Sequence, residues 1–409
     1  MNIAENFFLG HEPKTKLGMV DYKRMHRETR AALDVLGIQI QTDRLIHGLS
    51  IAQQQMLEIA RAINENAKIL IMDEPTASLT NHEVDELFTQ IQALKEKNVA
   101  IIYISHRMEE TFRVCDTVTV LRDGQFIGTK DTKETNEKEL ISMMVGREFE
   151  SMYGNTVVSG GETIMEVSRL TSDLVKDISF ELKKGEILGF SGLVGAGRTE
   201  MVRALFGIDK ILSGTVTIEG KQVSIHAPSD AIRAGIALVP EDRKGQGLFL
   251  EHSISTNLTF QVLDQFIRHL RVNGKKERAI IQEYKDKLSI RMAGVEQKAG
   301  ELSGGNQQKI VISKWLAAHP KVLILDEPTR GIDVGAKAEI YDLMRALTKE
   351  GVSIIMISSE LPEILNNSSR IAVMSEGRLV KILDPAKDEI SQEIIMSYAV
   401  EGGTKNHAQ

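Results

Sequence analysis

One cysteine, Cys115, is all the thiol chemistry this chain carries. No disulfide can form within it, which fits a reducing compartment, and a lone cysteine reads as a small buried hydrophobe rather than a reactive group. Long apolar runs are missing too. The longest, VAIIYI at 99–104, reads as a core strand and falls far short of the roughly 20 residues a membrane helix needs. The start, MNIAENFFLG, has no basic stretch ahead of an apolar one and is not a signal peptide. Basic charge is not in excess: the net charge is −7, so no field draws in nucleic acid. Together these absences point to the cytoplasm, with any service to a membrane given from its side.

What is present belongs to an ordinary globular protein, 42% apolar and 26% charged. At 409 residues the chain exceeds one compact core and implies two or three domains. An internal repeat gives the number. KILIMDEPT at 68–76 returns as KVLILDEPT at 321–329, a shift of 253 from Asp73 to Asp326. Ser50 and Ser303, Ser105 and Ser358, and Gly124 and Gly377 share that offset. Two copies of one domain follow. Short β-branched runs alternate with amphipathic stretches in each, which predicts an α/β fold with a mostly parallel sheet covered on both faces. The first domain is assigned to 1–148, a Gly-rich polar linker to 149–162, the second domain to 163–400 and a frayed tail to 401–409. Stretches 11–47 and 253–300 read as helical inserts.

Three motifs carry chemistry. GLVGAGRT, Gly192, Leu193, Val194, Gly195, Ala196, Gly197, Arg198 and Thr199, follows the apolar run EILGF and opens a helical stretch. Strand, glycine loop and helix are the context of a phosphate loop, whose backbone N–H groups turn toward phosphate oxygens at a helix N-terminus. Arg198 stands where that pattern has lysine, and Thr199 would place its hydroxyl on Mg²⁺. LILDEPT ends an apolar strand in Asp326, a carboxylate that would be costly there unless paired or bound to metal. Glu327 could orient or deprotonate a water. LSGGNQQ puts Ser303, Gly304, Gly305 and Gln307 at the start of a helix, at once an N-cap and an anion site.

LSGGNQQ, LILDEPTRGID and the duplication resemble the ATP-binding subunits of bacterial ABC importers for monosaccharides, the ribose, galactose, arabinose and xylose class. The resemblance covers nearly the whole chain. It implies two tandem P-loop NTPase domains of ABC type, each with a helical subdomain, with ATP and Mg²⁺ as cofactors. It also implies two membrane-spanning permease subunits and a periplasmic or lipid-anchored sugar-binding protein as partners, no nucleic acid, and a place on the cytoplasmic face of the membrane. Ribose is the expected sugar. Arg198 and VPEDRK, with Glu241 where a γ-phosphate-sensing glutamine usually stands, are then family traits. A soluble duplicated ABC ATPase of translation or repair would carry a long basic linker, which this acidic chain lacks.

In such proteins the two domains pair head to tail, each nucleotide lying between one glycine loop and the other domain's signature. One site would join Gly192 to Thr199, Asp326, Glu327 and Ser359 with LSIAQQQ around Ser50. It is degenerate: Arg198 replaces lysine, Ser359 replaces the switch histidine, Ile51 and Ala52 replace two glycines, and no aromatic residue stands at the adenine position upstream of Gly192. The other would use Asp73 as metal ligand, Glu74 as base, His106 as γ-phosphate histidine and the full Ser303 signature. Gly192 precedes Ser303 by 111 residues, so the first copy's loop would lie about sixty residues ahead of Met1. A truncated first domain without its opening strands and phosphate loop, with weak or no hydrolysis, is the expectation. A non-catalytic remnant is the alternative.

Overall fold

The computed structural model describes residues 1–35, 37–64, 67–76, 79, 81–105, 107–122, 124–145, 161–268 and 271–404. The linker assigned to 149–162 falls outside them up to residue 160. The chain divides into two compact units, Met1–Met144 and Val145–Gln409.

In the first unit α1 (Ile3–Phe7), α2 (Tyr22–Val35) and α3 (Ile51–Asn64) precede β1 (Ile69–Asp73). Then come α4 (Asn81–Glu96), β2 (Ala100–Ile104), α5 (Met108–Val114), β3 (Thr117–Arg122), β4 (Gln125–Asp131) and α6 (Glu137–Val145). β1 and β2 pair in parallel, Asp73 opposite Ile104, and β3 pairs antiparallel with β4. Ile3, Phe7, Met25, Leu33, Leu87 and Ile91 centre the core. The expected core strand at 99–104 needs correction. Ile102 and Ile104 are 51% and 46% exposed, and Ile69 and Ile71 beside them 61% and 64%. Among the described residues β1 and β2 pair only with each other, so one face of the ribbon is apolar yet open. An apolar run records what a strand can bury, whereas burial itself is supplied by its neighbours.

The second unit opens with β5 (Thr163–Thr171), β6 (Ile178–Lys183), β7 (Ile187–Gly192), α7 (Arg198–Leu205), β8 (Ser213–Ile218) and β9 (Lys221–Val223). Next are α8 (Pro228–Arg233), β10 (Ile236–Val239), α9 (Ile254–Thr259), the short pair β11 (Ile267–Arg268) and β12 (Arg271–Val272), α10 (Gly274–Lys287) and α11 (Gly304–Leu316). It closes with β13 (Val322–Asp326), α12 (Val334–Lys349), β14 (Ser353–Ile357), α13 (Leu361–Asn367), β15 (Arg370–Ser375), β16 (Arg378–Leu383) and α14 (Gln392–Thr404). Helix α14 enters the segment expected to be a frayed tail, of which 405–409 lie outside the described residues.

The main sheet runs β10-β13-β14-β7-β15-β16, parallel except for the antiparallel edge β16. A second, antiparallel sheet runs β6-β5-β8-β9. β7, β13 and β14 are buried along almost their whole length, as continuous apolar strands of a parallel sheet must be. Val322, Ile324, Ile355 and Ile357, the repeat counterparts of the four open isoleucines, are all within 1% of full burial. Each contributes about 1.5–3 kcal/mol, of which its half-exposed counterpart in the first unit forgoes roughly half. The C-terminal ends of β7, β13 and β14 lie together, the place where open α/β sheets bind ligands.

Candidate nucleotide site

β7 delivers Gly192, and α7 starts at Arg198. Two glycines are demanded by space and backbone. A Cβ on Gly192 would stand 2.4 Å from the Met374 carbonyl oxygen. Gly197 caps α7 at φ 92°, and a Cβ there would press on Gly377 and Val175 at 3.0 and 3.1 Å. Between them Val194 is 95% exposed, so the loop tip is open to a ligand.

Behind the loop sit the carboxylates of β13. Asp326 is 2% exposed, and burial pushes its pKa up to about 6, against the neighbouring Thr199 hydroxyl, which holds it down. Its Oδ1 is buried without a hydrogen-bond partner. An orphaned carboxylate oxygen beside a threonine hydroxyl is a donor pair suited to Mg²⁺, which takes one or two protein oxygens and completes its shell with phosphate and water. Among the described residues no cluster of three or more His, Cys, Asp or Glu gathers.

Glu327 takes left-handed backbone, φ 47°, with its N–H on the Ile357 carbonyl at 3.0 Å. Burial raises its pKa, and Ser359 and Arg198 oppose the rise. Ser359 Oγ donates to Glu327 Oε2 at 3.2 Å. Arg198, 9% exposed, donates Nη1 to the Ser358 carbonyl at 2.7 Å and holds Nη2 4.0 Å from Glu327 Oε1. The structure thus joins Gly192–Thr199, Asp326, Glu327 and Ser359 in one place.

The signature turn is built otherwise. Ser303 caps α11, accepting from Asn306 Nδ2 at 3.0 Å. Gly304 lies against Arg243 and Gly331, where a Cβ would meet Nη2 at 2.9 Å and the carbonyl at 3.1 Å; at Gly305 it would meet Ala336 Cβ at 2.5 Å. Gln307, expected to face nucleotide, is instead 3% exposed and donates to the Ala299 carbonyl at 3.2 Å, because its helical phase turns it inward. Glu241 pairs with Arg330 in the turn after DEPT. Arg243, the arginine of VPEDRK, donates to the Arg330 and Gly331 carbonyls at 2.6 and 2.9 Å, and burial lowers its pKa.

In the first unit Asp73 ends β1, and Glu74 repeats the left-handed φ of 47° with its N–H 2.9 Å from the Ile104 carbonyl. Ser50 begins α3 with a reciprocal cap: its Oγ accepts from Gln53 N at 3.2 Å, and Gln53 Oε1 accepts from Ser50 N at 3.1 Å. His106 lies outside the described residues. Two further residues are not singled out by the sequence, Glu110 and Glu363, both buried and only 6% and 2% exposed. The available signal was their common place five residues after Ser105 and Ser358.

The family described as ABC transporter matches residues 1–77 and 175–330. The chain is 50% identical over 402 residues to a protein named ribose import ATP-binding protein RbsA of Lactococcus lactis subsp. lactis (strain IL1403), covering 98% of this chain and 81% of that one. Similarity to proteins of the same name is 49% over 409 residues in Lacticaseibacillus paracasei, covering 81% of it, and 48% over 404 residues in Geobacillus kaustophilus, again 81%. A solved ATP-binding cassette of an ABC transporter overlaps 54% of this chain and 91% of its own at a TM-score of 0.49 and 21% identity.

Proposed function

The chain belongs to the ABC transporter family of ATP-binding proteins, and on that footing we propose that it energises sugar import, with ribose as the sugar, by binding MgATP. Ribose rests on the names of the relatives. Two permease subunits, met at the cytoplasmic face, and a sugar-binding protein on the far side of the membrane would be the partners. No helix among the described residues is long and apolar enough to cross a membrane.

The observation that carries the nucleotide reading is the unpartnered Asp326 Oδ1 beside Thr199, at the foot of an open glycine loop. Thr199 and Asp326 would hold Mg²⁺, which when bound supplies positive charge to the triphosphate. Loop N–H groups and the N-terminus of α7 would cradle the phosphates. Arg198 would leave the Ser358 carbonyl for phosphate, and Ser359 and Glu327 would face the terminal group. Serine cannot give a phosphate the ionic contact of a histidine, and a guanidinium fork fits a lysine's place poorly. This site therefore binds ATP and turns it over slowly. Hydrolysis is assigned to Glu74 and His106 of the first copy, with Asp73 as metal ligand. The Ser50 and Ser303 turns are assigned to phosphates presented by an opposed cassette.

ATP-dependent uptake of labelled ribose, measured after reconstituting the chain with its permease and binding protein, tests the transport reading. Uptake confined to another monosaccharide would refute ribose, and no ATP-dependent uptake of any would refute import.

A further inference from the structure

The duplication supplies an internal control: a feature kept in both units while its surroundings change is held by more than local chance. One such feature is a buried carboxylate behind each DEPT turn. In the second unit Glu363 accepts from Thr329 Oγ1 at 2.8 Å and from Ser358 Oγ. Ser358 Oγ in turn accepts from Glu360 N at 3.0 Å. In the first unit Glu110 accepts from Thr76 Oγ1 at 2.7 Å and from Ser105 Oγ at 3.1 Å, and Ser105 Oγ accepts from Arg107 N at 3.0 Å. Bond for bond these are the same contacts at the repeat offset. Around them the sequence has diverged. Tyr103 and Arg107 also reach Glu110, at 2.8 and 3.2 Å, whereas Met356 and Glu360 hold those places in the second unit and Glu360 turns to Lys337.

The threonine lies two residues after the glutamate assigned to the attacking water, Glu74 or Glu327, and the serine lies one residue before the switch position, 106 or 359. Both carboxylates are buried, as are the hydroxyls of Thr76, Thr329 and Ser358, no more than 2% exposed, while Ser105 is partly exposed. A buried carboxylate left without donors is expensive, so both hydroxyls are held firmly to it.

Resting on the nucleotide reading above, we infer that Glu363, and Glu110 in its copy, are positioning residues that clamp the DEPT turn to the switch segment, fixing Glu327 and Ser359 as one rigid face toward the terminal phosphate. The left-handed backbone of Glu74 and Glu327 needs such a support, since a non-glycine residue there persists only where its surroundings over-determine it. The clamp also fixes the Ser358 carbonyl that holds Arg198. Its contribution therefore falls on the γ-phosphate and spares the rest of the nucleotide.

The test is calorimetric titration of the full chain with MgATP and, separately, MgADP. Glu363→Ala and the nearly isosteric Thr329→Val should each weaken MgATP about tenfold, the size of one buried hydrogen bond to a charged group, while MgADP changes less than about twofold. Glu363→Gln, which keeps an acceptor of the same reach, should restore most of the ATP affinity. Thr329→Val serves where Glu363→Ala does not fold. Equal losses for ATP and ADP, or no loss for either, would overturn the clamp while leaving the nucleotide reading intact. Failure of the unaltered chain to bind either nucleotide would defeat both.

Discussion

Arg198 reaches across 160 residues of chain to donate its Nη1 to the Ser358 carbonyl at 2.7 Å. That contact ties the glycine loop to the switch segment, and on the proposed nucleotide reading a bound phosphate would take Arg198 from it. Phosphate is the stronger acceptor for a guanidinium, so the exchange favours binding and yet lessens its gain. Arg198→Ala should weaken MgATP at least about tenfold by deleting the cation, whereas Arg198→Lys should stay within about threefold of the parent. Equilibrium dialysis with labelled ATP measures both; a neutral Arg198→Ala would show that the arginine never leaves Ser358.

The two DEPT glutamates should differ in consequence. In an assembled transporter whose first copy carries a phosphate loop of its own, Glu74→Gln should lower ATP turnover by about a hundredfold or more, the usual scale for losing a general base. Glu327→Gln should change it less than about threefold, because Arg198 and Ser359 already limit that site. Steady-state phosphate release on the two variants checks this, and equal losses would refute the division of labour.

Lys314 sets a pH dependence in the second unit. Its ammonium donates to the Gly247 carbonyl at 2.6 Å and lies 5.5 Å from the Trp315 ring centre, and burial lowers its pKa from 10.5 to about 8. Between those two values the unfolded chain binds a proton that the folded chain does not, so stability contributed here rises with pH. Below about pH 8 both states are charged and the burial penalty is present in full. The melting temperature of the parent minus that of Lys314→Met should thus increase from pH 7 to pH 9.5, by the equivalent of up to about 2 kcal/mol. A flat difference would mean the ammonium is not desolvated.

Much of this was legible in the residues. VLILD announces a strand buried on both faces, and β13 is one. LSGGN announces a capped helix, and Ser303 caps α11. The repeat offset placed both DEPT turns at strand ends. Glu110 and Glu363 were hidden because a glutamate in a short amphipathic stretch looks like a solvated helix face, and only the packing of a distant turn buries it. VPEDRK marked the segment of Arg243 but not its partners, which lie 87 and 88 residues away. VAIIYI misled in the opposite direction, since nothing in a strand's own composition says whether a neighbour covers it. Cys115, read as a small buried hydrophobe, is only partly buried, and burial raises its thiol pKa.

The most direct measurement is MgATP titration of the full chain beside Asp326→Asn and Thr199→Val, with and without Mg²⁺. The account predicts saturable binding by the parent, at least about tenfold weaker without the metal, and a loss of similar size in both variants with or without further effect of Mg²⁺. Binding that ignores the metal and both substitutions would place the nucleotide elsewhere and contradict the assignment of Gly192–Thr199 and Asp326.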